Sequence, residues 1–353
     1  MEKIKQIAKD ILPLSEKFLV KAQKRLDNLT KPKGSLGRLE ELAKKVVAIS
    51  QNMEPSLKRK VIFVFAADHG VAEEGVSSYP QDVTYQMVYN FLRGKAAINV
   101  LAGCVGAEVL VVDMGVARDI SPHPRLKMKK IGYGTKNIVR TQAMTRKEAI
   151  CSVETGIDVF EEEHRKNRID IVGVGDMGIA NTTPSSAIIA SITGEDPGKI
   201  TGRGTGIDDK IWQKKVNTVK NALKTNRPDP GDSVDVLAKV GGYEIGGIAG
   251  CILAAAKNRI PIVIDGFIST AAALIAAGIC PSVKDYLIAS HLSAEKGHKV
   301  ALKKLGLVPL FDLELRLGEG TGACLAIGLV DASIKIFTQM ATFEEAGVSR
   351  KVR

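Results

Sequence analysis

Glu319 stands between two glycines in Leu315-Arg316-Leu317-Gly318-Glu319-Gly320-Thr321-Gly322-Ala323, immediately ahead of a long apolar run over residues 324–340. Glycines let a backbone turn sharply and approach a ligand closely. The run that follows reads as a helix, whose open N–H groups and partial positive charge favour the ionised form of a nearby carboxylate. A carboxylate so placed is a candidate general base facing a small-molecule pocket. Its bland alternative is an acidic residue at a helix start.

A second carboxylate, Asp176, lies in Gly173-Val174-Gly175-Asp176-Met177-Gly178, ahead of the polar trio Asn181, Thr182 and Thr183. The glycine spacing matches a dinucleotide fingerprint. The context does not, because in a true fingerprint the helix opens inside the motif and faces the pyrophosphate. Here Thr183-Pro184 marks a later helix start, and the acidic candidates Glu195 and Asp196 sit in a loop flanked by Gly and Pro. A strand-exit loop of this kind suits a sugar or phosphate better than NAD. Thr201-Gly202-Arg203-Gly204-Thr205-Gly206, with Lys214 and Lys215 on the helix beyond, offers backbone N–H groups and cations for a phosphate. It lacks the Gly-Lys-Ser/Thr ending of a Walker loop.

Ser290-His291-Leu292-Ser293-Ala294-Glu295-Lys296-Gly297-His298 supplies hydroxyls and a cation after a strand, but no nucleophile elbow surrounds either serine. Asp68-His69-Gly70 could hold a metal or, more ordinarily, anchor a loop by hydrogen bonds. Val76-Ser77-Ser78-Tyr79-Pro80-Gln81 is polar and aromatic, suited to lining a slot for a flat ring.

These motifs sit on a chain of 353 residues, 45% apolar and 25% charged, long enough for a large domain and a smaller one. The five cysteines are scattered with no C-x-x-C pair, which argues against a disulfide scaffold or structural zinc. The five histidines show no H-x-x-x-H spacing, so a metal centre is not expected. The net charge of +11 is spread in small groups, with one longer basic run over residues 125–136. The run's single aromatic, Tyr133, does not make the aromatic interleaving that stacks bases in nucleic-acid binding. A modest positive field favours anionic substrates. No run is read as approaching a membrane span, and Met-Glu-Lys-Ile-Lys-Gln does not open a signal peptide, so a cytoplasmic protein is expected.

The first fifty residues read as helices, broken at Thr30-Lys31-Pro32-Lys33-Gly34-Ser35-Leu36-Gly37. Short β-branched runs then begin near residues 61, 108, 169, 260 and 286, alternating with helical stretches over 86–102, 147–166, 246–257 and 269–277. This is the pattern of a parallel sheet covered by helices on both faces. Ligand loops in such folds follow the carboxyl ends of the strands, where this chain carries its candidate motifs. The expected division is a small helical domain from both chain ends, residues 1–58 plus 332–353, around a large α/β domain of residues 59–331.

With Leu26-Asp27-Asn28-Leu29-Thr30-Lys31-Pro32-Lys33-Gly34-Ser35-Leu36-Gly37, Ala67-Asp68-His69-Gly70-Val71, Asn181-Thr182-Thr183-Pro184, Gly204-Thr205-Gly206, Gly241-Gly242-Tyr243-Glu244-Ile245, Ile264-Asp265-Gly266 and Gly318-Glu319-Gly320-Thr321-Gly322 in one order, the chain resembles the nicotinate-nucleotide–dimethylbenzimidazole phosphoribosyltransferases over nearly its whole length. The resemblance implies transfer of phosphoribose from nicotinate mononucleotide to an aromatic base (a benzimidazole, a purine or a phenolic). The products would be an α-riboside phosphate and nicotinate, in cobamide assembly. It implies a Rossmann-like sheet, no metal, no dissociable cofactor, and a homodimer or a pair of non-identical subunits. By position Glu319 matches the general base, and Ser78, Tyr79, Gln86 and Leu317 match the base pocket. Met177, Gly178, Gly204, Lys215 and Ser293 match the ribose-phosphate side, with Gly175, Asn181, Thr182, Asp265 and Gly320 placed beside them. The chain departs at Asp176, where the family usually carries Glu; aspartate keeps the charge and shortens the reach by a methylene.

Overall fold

The alternation of side chains along a strand separates two cores here. In a computed structural model, which describes residues 1–350 except Thr205, six strands form one sheet. These are β1 (Lys60–Ala67), β2 (Ala107–Gly115), β3 (Leu126–Met128), β4 (Ile171–Met177), β5 (Ile262–Ile264) and β6 (Leu287–Ala289). The order is β3-β2-β1-β4-β5-β6 and every neighbouring pair is parallel. Phe63 and Phe65 of β1 enter the core on one face, while Ile62, Val64 and Ala66 enter the other. Thr205, in the glycine-rich turn, and the terminal Lys351, Val352 and Arg353 lie outside the described residues.

The helices are α1 (Glu2–Asp10), α2 (Glu16–Asn28), α3 (Arg38–Ser50), α4 (Asp82–Leu92), α5 (Ala97–Val105), α6 (Arg146–Lys166) and α7 (Thr182–Thr193). There follow α8 (Pro197–Ile200), α9 (Asp209–Asn226), α10 (Ser233–Val240), α11 (Tyr243–Lys257), α12 (Phe267–Ile279), α13 (His298–Leu305) and α14 (Thr321–Gln339). Helices α1, α6, α7, α10, α11 and α12 cover the face that holds Phe63; α2, α3, α5 and α14 cover the other. The chain ends meet where Phe343 N–H donates to the Asn28 carbonyl and Arg25 Nε donates to the Phe337 carbonyl. Helix α1 departs from its sequence neighbours and packs on α6 and α11 instead.

Three readings of the sequence need correction. The stretch over 86–102 is two helices, because Gly94, at φ +74°, turns the chain between α4 and α5. Strand β3, inside the basic run, was not foreseen: it is three residues long and only Leu126 is buried. Helix α14, with 19 residues and a mean hydropathy of 1.4, is long and apolar enough to cross a membrane by length and composition. It is instead a core helix, packed on α3, α5 and β4.

The strand order reverses between β1 and β4. In an open parallel sheet the loops at such a point diverge and leave a crevice at the carboxyl ends of the strands. That is the end carrying Asp68-His69, after β1, and Asp176, in β4.

Candidate active site

A cavity of about 320 Å³ opens at this crevice, within the size range of small-molecule sites. Its floor is the chain leaving β4. Asp176 is buried there, and its Oδ2 accepts a hydrogen bond from Asn181 Nδ2 at 2.9 Å while its Oδ1 has no hydrogen-bond partner among the described residues. Burial, with the Asp265 charge beside it, pushes the Asp176 carboxyl well above the usual range, against the pull of Asn181.

Asn181 precedes α7 but does not cap it, since its side chain turns to Asp176. The Thr183 N–H is taken by the Ala180 carbonyl at 2.9 Å and Pro184 has no N–H, which leaves the Thr182 N–H at the start of α7 to face an anion. Lys215 of α9 arrives at the same spot, 1% exposed, its Nζ donating to Thr182 Oγ1 at 2.7 Å. Burial lowers its pKa to about 8, with the Glu295 carboxylate opposing. Gly204, at φ +51°, lets the glycine-rich turn pass over Lys215; a Cβ there would lie 2.9 Å from Lys215 Nζ. The Gly204 N–H donates to Glu295 Oε1 at 2.7 Å and its carbonyl accepts from Arg316 Nη1 at 3.1 Å. Ser293 closes this end: its N–H donates to His298 Nδ1 at 2.8 Å and its Oγ accepts from the Glu295 N–H at 3.3 Å. Burial lowers His298 to about 3 and His291 to about 4, so both rings are neutral near pH 7.

The loop after Gly178 is supported from beneath. Ile179 N–H donates to Thr84 Oγ1 at 3.0 Å, and Gly178 lies against the His69 ring. His69 Nε2 pairs with Glu244 Oε1 at 2.7 Å, and Asp68 Oδ2 accepts from the Ala117 N–H at 2.8 Å. Asp-His-Gly is thus a hydrogen-bonded anchor. Among the described residues no group of three or more His, Cys, Asp or Glu is arranged to hold a metal ion.

Opposite Asp176 runs the loop of the Gly-Glu-Gly motif, with Gly318, Glu319 and Gly320 all at positive φ, +84°, +62° and +90°. For a non-glycine residue the left-handed region costs roughly 1–2 kcal/mol, so the surroundings must hold Glu319 there. They do so from below and from behind. The Glu319 N–H donates to the Asp176 carbonyl at 3.2 Å, and Gly175 has no Cβ to obstruct the loop; one would lie 2.3 Å from the Glu319 carbonyl carbon. Asp265, beyond β5, accepts N–H bonds from Gly320, Gly322 and Ala323 at 3.0, 2.7 and 3.1 Å.

A phosphoribosyltransferase family model matches residues 11–348. The chain belongs to this family. It is 56% identical over 339 residues to a nicotinate-nucleotide–dimethylbenzimidazole phosphoribosyltransferase of Geobacter sulfurreducens, covering 96% of each chain. It is 55% identical over 350 residues to one of Desulforudis audaxviator, covering 99% of each. The crystal structure of the Thermus thermophilus enzyme of that name superposes with a TM-score of 0.90 at 43% identity, over 96% of this chain and all of that one.

Of the positions expected to form the site of this phosphoribosyltransferase, Tyr79, Asp176, Met177, Gly178, Asn181, Thr182, Gly204, Lys215, Ser293 and Leu317 line the one cavity. Tyr79 and Leu317 stand at its rim, each more than half exposed. Ser78 and Gln86 are exposed and outside the lining, though Ser77 and Tyr79 on either side of Ser78 are in it. Gly175, Asp265 and Gly320 lie behind the wall, where they shape and hold the loop. Glu319 itself is 4% exposed and set back, its Oε2 accepting the Ile98 N–H at 3.3 Å. The expectation that its own helix keeps it ionised is not met: Asp265 takes the start of α14, and burial raises the Glu319 pKa, with only the Ile98 N–H pulling it down. Glu295 and Arg316 line the cavity and were not singled out from the sequence. Both stand within quoted motifs, Glu295 two residues after Ser293 and Arg316 two before Gly318, and that proximity is the signal the sequence offers.

Proposed function

We propose that this protein transfers phosphoribose from nicotinate mononucleotide to an aromatic lower-ligand base, 5,6-dimethylbenzimidazole or a related benzimidazole, purine or phenolic. The products are an α-ribazole 5′-phosphate, or its analogue, and nicotinate, for the nucleotide loop of a cobamide. The observation that carries this reading is the distribution of charge in one cavity. An anion seat made by the start of α7 and Lys215 adjoins Asp176, and the loop bearing Glu319 faces it. The names of the closely similar relatives support the same reaction.

The phosphate sits against α7 and Lys215, with Gly204 and Ser293 closing that end. Nicotinate leaves a pyridinium as a neutral ring, so no acid is needed to protonate it. Positive charge then grows on the ribose, and Asp176 stabilises it electrostatically. Burial favours the neutral form of Asp176 in the free protein; the cationic pyridinium of the substrate restores its charge. The incoming base enters the slot rimmed by Tyr79 and Leu317, with Ser78 and Gln86 beyond, and attacks the ribose face opposite nicotinate, inverting β to α. Glu319 takes the proton that the base becomes ready to lose, a general-base contribution typically of about 10²–10⁴-fold. The resemblance supports a cytoplasmic homodimer, or a pair of non-identical subunits.

The test is a chromatographic assay of purified protein with nicotinate mononucleotide and 5,6-dimethylbenzimidazole, adenine, phenol or p-cresol. An α-riboside phosphate with equimolar nicotinate is expected, and the fastest base names the physiological acceptor. Saturable nucleotide binding with no product from any base would overturn the assignment.

A further inference from the structure

Two helices start beside Glu319, and they serve different carboxylates. The start of α14, which follows Glu319 directly in the chain, is filled by Asp265. The start of α5 is not capped by its own residue, because Ala96 has no polar side chain. Its second N–H, that of Ile98, points across the fold to Glu319 Oε2, 221 residues away in sequence. Nothing inside α5 competes for this donor, since the first N–H groups of a helix have no intrahelical acceptor.

The turn presenting that N–H is itself fixed. Asn99 Oδ1 accepts from the Ala96 N–H at 3.1 Å, and Asn99 Nδ2 donates to the Phe91 carbonyl at 3.2 Å, tying α5 to the end of α4. The Ile98 side chain is fully buried. On the other side, the Glu319 backbone is held by Asp176 and accommodated by Gly175. Glu319 Oε2 is the oxygen so engaged, and Oε1 has no hydrogen bond among the described residues.

We propose that the opening turn of α5, through the Ile98 N–H, is a positioning group for the phosphoribosyl transfer, fixing the Glu319 side chain so that its second oxygen meets the incoming base. The inference rests on Glu319 being the general base. The charged groups that face Glu319 are acidic: Asp176 on β4 and Asp265 after β5. Helix α5 brings no acidic residue in its first turn, and Arg93 and Lys95 at the α4–α5 elbow are exposed. The N–H is therefore the local group that favours the carboxylate, and removing it leaves burial unopposed.

Ile98→Pro tests this, because proline is tolerated in a first helical turn and removes a donor that α5 does not use, while also trimming the buried Ile98 side chain. Ile98→Val, which keeps the N–H, is the control. With folding checked by circular dichroism, the kcat–pH profile is measured under saturating substrates. Ile98→Pro should move the acid limb up by about one unit, lowering kcat about tenfold at pH values on that limb, as loss of a bond to a charged group predicts. Activity should recover at higher pH, and the KM for nicotinate mononucleotide should stay within about twofold. Ile98→Val should follow the wild type.

An Ile98→Pro profile superimposable on the wild type, or a uniform loss without displacement of the limb, overturns the proposal. If Ile98→Pro does not fold, Asn99→Ala loosens the same turn without touching Glu319 and must show the same displaced limb. Glu319→Gln separates the two levels. If it retains turnover, the general-base reading fails; if it is inactive while Ile98→Pro is normal, only the positioning role fails.

Discussion

Asp176 and Lys215 are both buried charges, and burial acts on them in opposite directions. For Asp176 the folded-state pKa stands above the unfolded value, so the folded protein binds the proton more tightly. Stability therefore falls as pH rises from the unfolded pKa through the folded one, and stays reduced above it. Asp176→Asn removes that penalty and keeps an acceptor for Asn181. It should raise Tm relative to the wild type at about pH 8, with the gap closing toward about pH 4. The same change should lower kcat by about 10²-fold through loss of charge beside the developing cation. An unchanged kcat in a stabilised variant would remove Asp176 from the chemistry. Lys215 is lowered to about 8, so its charge is lost as pH rises through that value. The KM for nicotinate mononucleotide should climb above about pH 8 in the wild type. Lys215→Ala should raise that KM about 10- to 100-fold, as for a lost charged hydrogen bond, and flatten the climb, with the KM for the base little changed. A nucleotide KM unaffected by Lys215→Ala would place the phosphate elsewhere. Residue identities at this scale were largely legible, because a carboxylate among glycines and a lysine after a glycine-rich turn stand out by type. Which helix start serves Glu319 was not: the donor is a backbone N–H on a buried isoleucine, which leaves no trace in side-chain chemistry.

The elements that carry these residues are held by devices of different legibility. Continuous apolar runs announced β1, β2 and β4, since the middle of a strand buried on both faces is filled with apolar residues, with Asp113 and Asp176 near the carboxyl ends. Strand β3 escaped because a three-residue edge strand needs only one apolar residue, Leu126, among lysines. The start of α7 was expected at Pro184 and lies at Thr182, since proline is accommodated anywhere in a first turn. Asp265 is the clearest case of an element held from afar. It looks like a ligand-loop aspartate after β5, yet both its oxygens accept N–H bonds from the start of α14. Burial raises it to about 7 against those three donors. Asp265→Ala leaves three buried N–H groups without an acceptor, at a cost of about 2–4 kcal/mol. The urea midpoint should fall accordingly. Turnover should fall with it in the folded fraction, because the freed turn begins one residue after Glu319. A variant with the wild-type midpoint would show that the donors find other partners.

Across the whole molecule, the sheet separates the chemistry at its carboxyl edge from the packing that stabilises its faces. The tightest packing lies on the face of α6 and α11, where glycines bring two helix backbones together. A Cβ on Gly250 would lie 1.9 Å from the Val153 carbonyl oxygen, and one on Gly156 would lie 2.0 Å from the Gly247 carbonyl oxygen. No side-chain rotation relieves a clash with backbone, so Gly250→Ala must push the helices apart along their length. Gains in helix propensity, about 1 kcal/mol for Gly to Ala, are outweighed by that displacement, which opens the core between α11 and the sheet. Among the described residues, α11 reaches the support of the site at its first turn, where Glu244 pairs with His69 beneath Gly178. Gly250 lies well beyond that turn. The expected result is a Tm lowered by roughly 5 °C or more, with kcat and both KM values of the folded protein within about twofold of wild type. Calorimetry and steady-state kinetics on the same preparation decide it. A normal Tm would mean the seam relaxes locally. A kcat that falls in step with stability would mean that the His69–Glu244 anchor transmits helix position to the cavity floor, joining the two halves of the design.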